Sequence, residues 1–264
     1  MQGDDDEFGR SLGFEEAPAH FESASQKARV TTERWALNWL FCPNCGERGL
    51  GQFANNSKVA DFFCGVCSEE YELKSTKGHF GRRVVDGAYS SMRERLAQFN
   101  NPNFLLLSYD AAARSATDMI VIPKHFFTLD IIEERKPLAV SARRAGWVGC
   151  NIILDRIPSS GRIVLLKDGV PAPRAQVREQ WERTLFLRDT GLEARGWLIE
   201  VMKSVEAVGR RTFSLDEIYA QEAKLQALYP GNRNVRPKIR QQLQALRDRG
   251  FLEFMGGGVY RLRG

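Results

Sequence analysis

Four of the five cysteines in this chain form two C-x-x-C pairs, Cys42 with Cys45 and Cys64 with Cys67, with 18 residues between the pairs. That spacing lies within the range of structural zinc sites, in which each pair makes a knuckle and the four thiolates converge on one tetrahedral ion. The expectation is a Zn²⁺ staple joining two separate segments, with every coordination position filled by protein and none open for catalysis. Two accidental pairs of buried thiols are the competing reading, a poor one because cysteine is scarce elsewhere. Cys150 is left over and reads as a small buried apolar residue. Thiols in a metal pattern rather than a disulfide framework suit a reducing compartment. Met1 to Glu7 lacks the basic and apolar regions of a signal peptide, and no apolar run approaches the ~20 residues needed to span a bilayer. A cytoplasmic protein with no membrane partner is expected.

The second cysteine pair sits inside the block Val59 to Ser75, which also holds Asp61 and Glu72-Leu73-Lys74. These read as a D-(x)n-E-x-K constellation. Alternate side chains of a strand share a face, so Glu72 and Lys74 point together while Tyr71 and Leu73 point away. Asp61 and Glu72 are equidistant from a turn centred near Val66, so an antiparallel hairpin places them opposite each other and puts the cysteines at its tip. Phosphodiester hydrolysis needs a cation on the phosphate, an activated water and stabilisation of the leaving oxygen. Mg²⁺ is typically held by one or two carboxylates plus water and phosphate. Asp61 and Glu72 meet that need, with the Leu73 backbone carbonyl as a third ligand, and Lys74 would orient or deprotonate the water, its pKa lowered by the cation. The bare triplet is weak on its own, because E-x-K is common on exposed strands. A ββα-metal nuclease would need a histidine near the hairpin, and His20, His79 and His125 fall in no such motif. No phosphate-binding G-x-x-x-x-G-K-[ST] loop or G-x-S-x-G elbow occurs.

Around this hairpin the pattern predicts a mixed α/β domain layered on one sheet. An acidic, disordered tail is expected to about residue 21, then a helix from Ser25 to about Trp39 with Ala28, Trp35, Leu37 and Leu40 as core contacts. Asp86 to Phe99 reads as a helix stopped by Asn100-Asn101-Pro102-Asn103. Phe104 to Tyr109, Met119 to Ile122 and Gly161 to Leu166 read as buried strands. The segment from Gly169 to Thr190 suggests a bridging helix through Trp181, Leu185 and Phe186. The nuclease-like domain would span 22–190.

Residues 191–264 form a second module. It holds 13 Lys and Arg against 8 Asp and Glu, which accounts for the whole net charge of +5. A basic module suits a polyanion such as nucleic acid; an incidentally basic surface is the plain alternative. Trp197 to Val208 reads as an amphipathic helix, Ser214 to Glu217 as a capping box opening a second helix, and Val235 to Arg249 as a third. Ile239, Leu243 and Leu246 form the buried stripe of the third helix. Phe251 to Phe254 and Val259 to Leu262 complete a two-stranded wing. In a winged helix-turn-helix the third helix enters the major groove, which makes Arg236, Lys238, Arg240, Gln241, Gln244 and Arg247 the candidate DNA contacts. Solubilising residues on an exposed helix would look the same. Arg143, Arg144 and Trp147 form a second basic-aromatic patch in the first domain, with Trp147 either core or DNA contact.

The chain resembles the DpnI-like methyl-directed restriction endonucleases. The resemblance rests on Ser25 to Arg29, Cys42-Pro43-Asn44-Cys45-Gly46, Val59 to Ser75, Asp86 to Tyr89, Asn100 to Phe104, Arg135 to Ala139, Ala142 to Asn151 and Lys238 to Gln244. It implies a PD-(D/E)xK nuclease fold with a zinc insertion, fused to a winged helix, acting as a monomer. It further implies Mg²⁺-dependent cleavage of double-stranded DNA at GATC sites whose adenines carry N6-methyl groups, with Asp61, Glu72 and Lys74 at the catalytic positions and the four cysteines as zinc ligands. Ala60 stands where the motif has proline. A zinc-containing methyl-DNA reader or winged-helix regulator that has kept only the nuclease shape is the non-enzymatic alternative. One buried methyl contributes roughly 0.8 kcal/mol, about fourfold in binding, and two give roughly fifteenfold. Both domains are therefore expected to read the site.

Overall fold

A serine before an apolar-periodic run opens the first helix. In the computed structural model, which describes residues 11–18, 20, 21, 23–54, 60–98 and 101–263, Ser23 caps α1 (Ala24–Trp39) by accepting a hydrogen bond from the Gln26 backbone N–H. The buried stripe of α1 is Thr32, Glu33, Trp35, Ala36 and Trp39. Trp35, Trp39 and Leu40 are deep in the core, while Ala28 and Leu37 are only half-buried. Two polar residues thus occupy the inner face of α1.

The central sheet has the order β1-β2-β3-β5-β6-β9-β10. Its strands are β1 (Gly51–Gln52), β2 (Phe62–Phe63), β3 (Glu70–Lys77), β5 (Asn103–Asp110), β6 (Ser115–Ile122), β9 (Ile163–Lys167) and β10 (Val170–Pro171). β3 and β5 run parallel, joined by a crossover through β4 (Arg83–Ala88) and α2 (Tyr89–Gln98), and the other pairs are antiparallel. Phe104 to Leu107 are fully covered, as a continuous apolar run predicts. The β9–β10 turn uses Asp168 at φ +49° and Gly169 at φ +75°, the left-handed pair that a tight hairpin demands.

Several expectations change here. Asp86 to Ala88 are strand rather than helix, because Val84 and Val85 carry the chain into a ladder with β8 (Gly149–Ile153), and α2 starts only at Tyr89. The first domain holds a second sheet, ordered β4-β8-β7, with β7 at Ile132–Glu134. Gly161 sits in a 3-10 turn before β9. The segment from Gly169 to Thr190 divides into β10, α3 (Arg174–Glu182) and a 3-10 turn at Leu185–Leu187. Leu12 to Phe14 are also not a loose tail. Gly13 bridges Ser115, the Leu12 carbonyl accepts from Ala116, and Phe14 packs against Trp35 and Tyr109 with ring centroids 5.8 and 5.6 Å apart. The acidic run Asp4 to Glu7, Val59, Phe99 and Asn100 lie outside the described residues.

The chain divides into two compact units, residues 1–154 with 160–182 and residues 155–159 with 183–264. In the second, α4 (Leu192–Ala207) is buried along most of its length rather than on one face. Trp197 stacks on Tyr229 at 4.1 Å between centroids. The Ser214–Glu217 capping box forms as read, but the helix it opens breaks at Ala220–Gln221 into α5 (Leu215–Tyr219) and α6 (Glu222–Leu228). α7 (Val235–Asp248) ends before Gly250 at φ +74°. The wing has three strands, not two: β11 (Thr212–Ser214) pairs with β13 (Val259–Leu262), which pairs with β12 (Leu252–Gly256).

Candidate active site

The hairpin register follows from its turn. Phe62 faces Tyr71 and Phe63 faces Glu70, and just before this ladder the Asp61 backbone N–H donates to the Tyr71 carbonyl at 2.9 Å. One Asp61 carboxylate oxygen accepts the Leu73 backbone N–H at 2.8 Å, which locks the aspartate against β3. Tyr71 points the other way and is fully buried against Trp181. Glu72 and Lys74 share the remaining face, Lys74 Nζ lying 2.5 Å from Glu72 Oε1.

Three residues that pattern reading missed complete the cluster. Asp86 reaches in from β4 and takes a second hydrogen bond from Lys74 Nζ at 2.6 Å. Arg29 and Glu33, one turn apart on α1, pair at 2.5 Å, and the Arg29 guanidinium also lies 3.5 Å from Asp61. The signal for Glu33 was present in the sequence: a carboxylate one turn from Arg29 on the same stripe as Ala36 and Leu40. Asp86 carried a weaker one, a lone acid after Val84-Val85.

The electrostatics favour a cation. Burial raises Glu72 above its ordinary value, as do Asp86 and Asp61, while Lys74 pulls it down less than these push. Burial also raises Glu33. Burial by itself would lower Lys74, but Glu72 and Asp86 outweigh it and hold the ammonium above the ordinary lysine value. The reading of Lys74 as a lowered-pKa group is therefore not met by the protein's own charges. Glu33, Asp61, Glu72 and Asp86 set four carboxylates against Arg29 and Lys74, a formal surplus of two negative charges (four minus two) that a divalent ion matches.

The four cysteines converge beside this site. Their sulfurs all lie within 4.8 Å of one another, with Cys42–Cys67 and Cys45–Cys64 at 3.5 Å. A tetrahedron with metal–sulfur bonds of about 2.3 Å has edges of about 3.8 Å, so the thiols are in position to hold a metal ion such as zinc. Each knuckle closes the same way, the N–H of Gly46 returning to the Cys42 carbonyl and that of Ser68 to the Cys64 carbonyl. Both Gly46 and Ser68 take positive φ, +82° and +59°. The Tyr71 hydroxyl lies 3.1 Å from Cys42 Sγ, where it can donate to a thiolate. Cys150 is fully buried, its thiol pushed up to about 12, chiefly by desolvation and then by Asp86.

A model of the DpnI family, described as Dam-replacing, matches residues 13–190, and a model of the Dam-replacing HTH domain matches residues 193–262. The chain belongs to the DpnI family. Its match begins at residue 13, inside the segment docked on β6, so the family core starts earlier than Ser25. DpnI membership makes this a restriction-type nuclease with a DNA-binding helix-turn-helix. Among the described residues no helix is long and apolar enough to cross a membrane.

On α7 the stripe Val235, Ile239, Leu243 and Leu246 is buried, and Arg240, Gln241, Gln244 and Arg247 are exposed. Four of the six candidate contacts on α7 are engaged within the protein. Arg236 pairs with Glu222 at 2.7 Å and lies 5.1 Å from the Tyr219 ring centroid, and Lys238 donates to Gln241 at 2.9 Å. Arg247 pairs with its neighbour Asp248 at 2.7 Å. In the β7–β8 loop, Arg143 and Arg144 are exposed, Arg144 lies 4.7 Å from the Trp147 centroid, and Trp147 is half-buried against the Gly149 backbone, where a Cβ would come within 2.8 Å of the indole. Trp147 is thus neither wholly core nor wholly free.

Proposed function

We propose that this chain is a Mg²⁺-dependent endonuclease that cuts double-stranded DNA at GATC sites bearing N6-methyladenine. The observation that carries the reading is the cluster of Asp61, Glu72 and Lys74 on one hairpin of a DpnI-family chain. Asp61 and Glu72, with the Leu73 carbonyl, would hold the ion, which when bound supplies positive charge to the scissile phosphate. Lys74 donates two of its three N–H groups to Glu72 and Asp86. The third is left to hold the attacking water or a phosphate oxygen. Arg29, with its side chain 54% exposed beside Asp61, is the cation best able to meet a phosphate from the solvent side. The four converging thiols, two buried and two half-buried, would bind Zn²⁺ as a clip that keeps the hairpin tip closed.

Recognition falls to two surfaces. Arg240, Gln241 and Gln244 on α7 present a guanidinium and two amides, groups that suit guanine and adenine edges in a major groove. Arg143, Arg144 and Trp147 supply cationic and aromatic surface from the nuclease domain.

The test is a plasmid prepared with and without adenine methylation at GATC and incubated with the protein and Mg²⁺. Discrete fragments from the methylated plasmid alone are expected. An uncut methylated plasmid that is nonetheless bound would establish a methyl-DNA reader instead.

A further inference from the structure

We infer that Asp86 is a positioning residue that fixes the Lys74 ammonium in the active arrangement. The inference rests on the nuclease reading above and adds a member to its site from a different sheet. Lys74 Nζ is held between two carboxylates, Glu72 Oε1 at 2.5 Å and Asp86 Oδ1 at 2.6 Å. The two holders differ in their other duties. Glu72 lies beside Asp61, whose carboxylate accepts the neighbouring Leu73 N–H, and would share its charge with any ion bound there, so its grip on Lys74 would vary with the ion. Asp86 comes from β4, where it pairs with Cys150 of β8, and the ladder slips between Asp86 and Ala88. Bulges of this kind re-aim a side chain beside a site. The Asp86 side chain is only 7% exposed, so little water competes for the ammonium. A lysine has a flexible four-carbon stem with many rotamers, and one carboxylate engaged with an ion leaves it under-restrained. A second, dedicated carboxylate removes that freedom before substrate arrives.

Three variants of the full-length protein test this with methylated GATC duplex: Asp86→Ala, Asp86→Asn and Lys74→Ala. Asp86→Ala is expected to lower kcat about 100-fold while the DNA Kd, measured without Mg²⁺, stays within about threefold of wild type. Asp86→Asn keeps an oxygen that accepts from Nζ and is expected to recover to within about tenfold of wild type, at an unchanged Mg²⁺ half-saturation. Asp86→Ala cutting within threefold of wild type would overturn the inference. So would an Asp86→Asn variant as inactive as Asp86→Ala with a raised Mg²⁺ requirement, the mark of an ion ligand, or parallel loss of DNA binding, the mark of a structural role. If wild type itself does not cut, the nuclease reading fails and not this one alone.

Discussion

Tyr71 shows how much a single side chain settles here. It faces away from Glu72 and Lys74, is fully buried, and brings its hydroxyl to the Cys42 sulfur at 3.1 Å. Groups that hydrogen-bond a metal ligand commonly carry 10–100-fold in affinity. Tyr71→Phe should therefore weaken Zn²⁺ binding by roughly 10- to 100-fold, read by competition with a chromogenic chelator, while leaving secondary structure intact. An unchanged affinity would show that the hydroxyl is idle. The two knuckles differ by one residue at the same left-handed position, Gly46 and Ser68. Side chains there are strained whatever the space. Ser68→Gly is expected to raise stability, and Gly46→Ala to lower it, each by about 1 kcal/mol. Thermal melting with Zn²⁺ bound measures both signs.

Elements were legible wherever local pattern and tertiary role agree. The hairpin register could be read from residue spacing, since Phe62 pairs Tyr71 and Phe63 pairs Glu70 about a turn near Val66, while Asp61 sits just outside that ladder with its N–H on the Tyr71 carbonyl. The α7 stripe and the Ser214 capping box were equally open, because each depends on residues three or four apart. β4 was not. Tyr89, Met92 and Leu96 carry a helical period that runs smoothly back to Asp86, and only the ladder to β8, some sixty residues downstream, draws Asp86 to Ala88 into a strand. The second sheet and Asp86's place in the site were hidden for that reason. β11 was hidden likewise, since its three residues gain their partner only from β13. The capping box also predicts a pH response. Glu217 is held below its ordinary value, first by the Ser214 backbone N–H, then by the Ser214 hydroxyl and Arg210. A carboxylate depressed in the fold contributes stability above its ordinary value, near 4.5, that is lost as pH falls through the lowered one. Urea midpoints read from the amides of Leu215–Tyr219 should fall with acidification in wild type and fall less steeply in Glu217→Gln. Equal slopes would show that Glu217 contributes nothing to the acid response.

At the scale of the molecule, the proposed function has a nuclease unit and a basic helix-turn-helix unit each presenting a surface to DNA. Two methyl groups give roughly fifteenfold discrimination by burial alone, too little for a restriction enzyme. Two readers whose selectivities multiply would reach further. Arg240→Ala on α7, which removes an exposed guanidinium without touching the buried stripe, is expected to reduce the ratio of methylated to unmethylated cleavage about tenfold, with kcat on saturating methylated duplex little changed. A ratio equal to wild type would leave the nuclease unit as the sole reader. Whether the Asp61–Glu72–Lys74 hairpin performs the cutting is decided by single-turnover cleavage of a methylated GATC duplex in Mg²⁺ by wild type and Lys74→Ala, with duplex binding measured alongside. Lys74→Ala is expected to lose rate by at least about 100-fold, in line with removal of a fixed cation from the water or the scissile phosphate, with a Kd within about threefold of wild type. Cleavage at the wild-type rate, or binding lost in step with cleavage, would contradict that role for the hairpin.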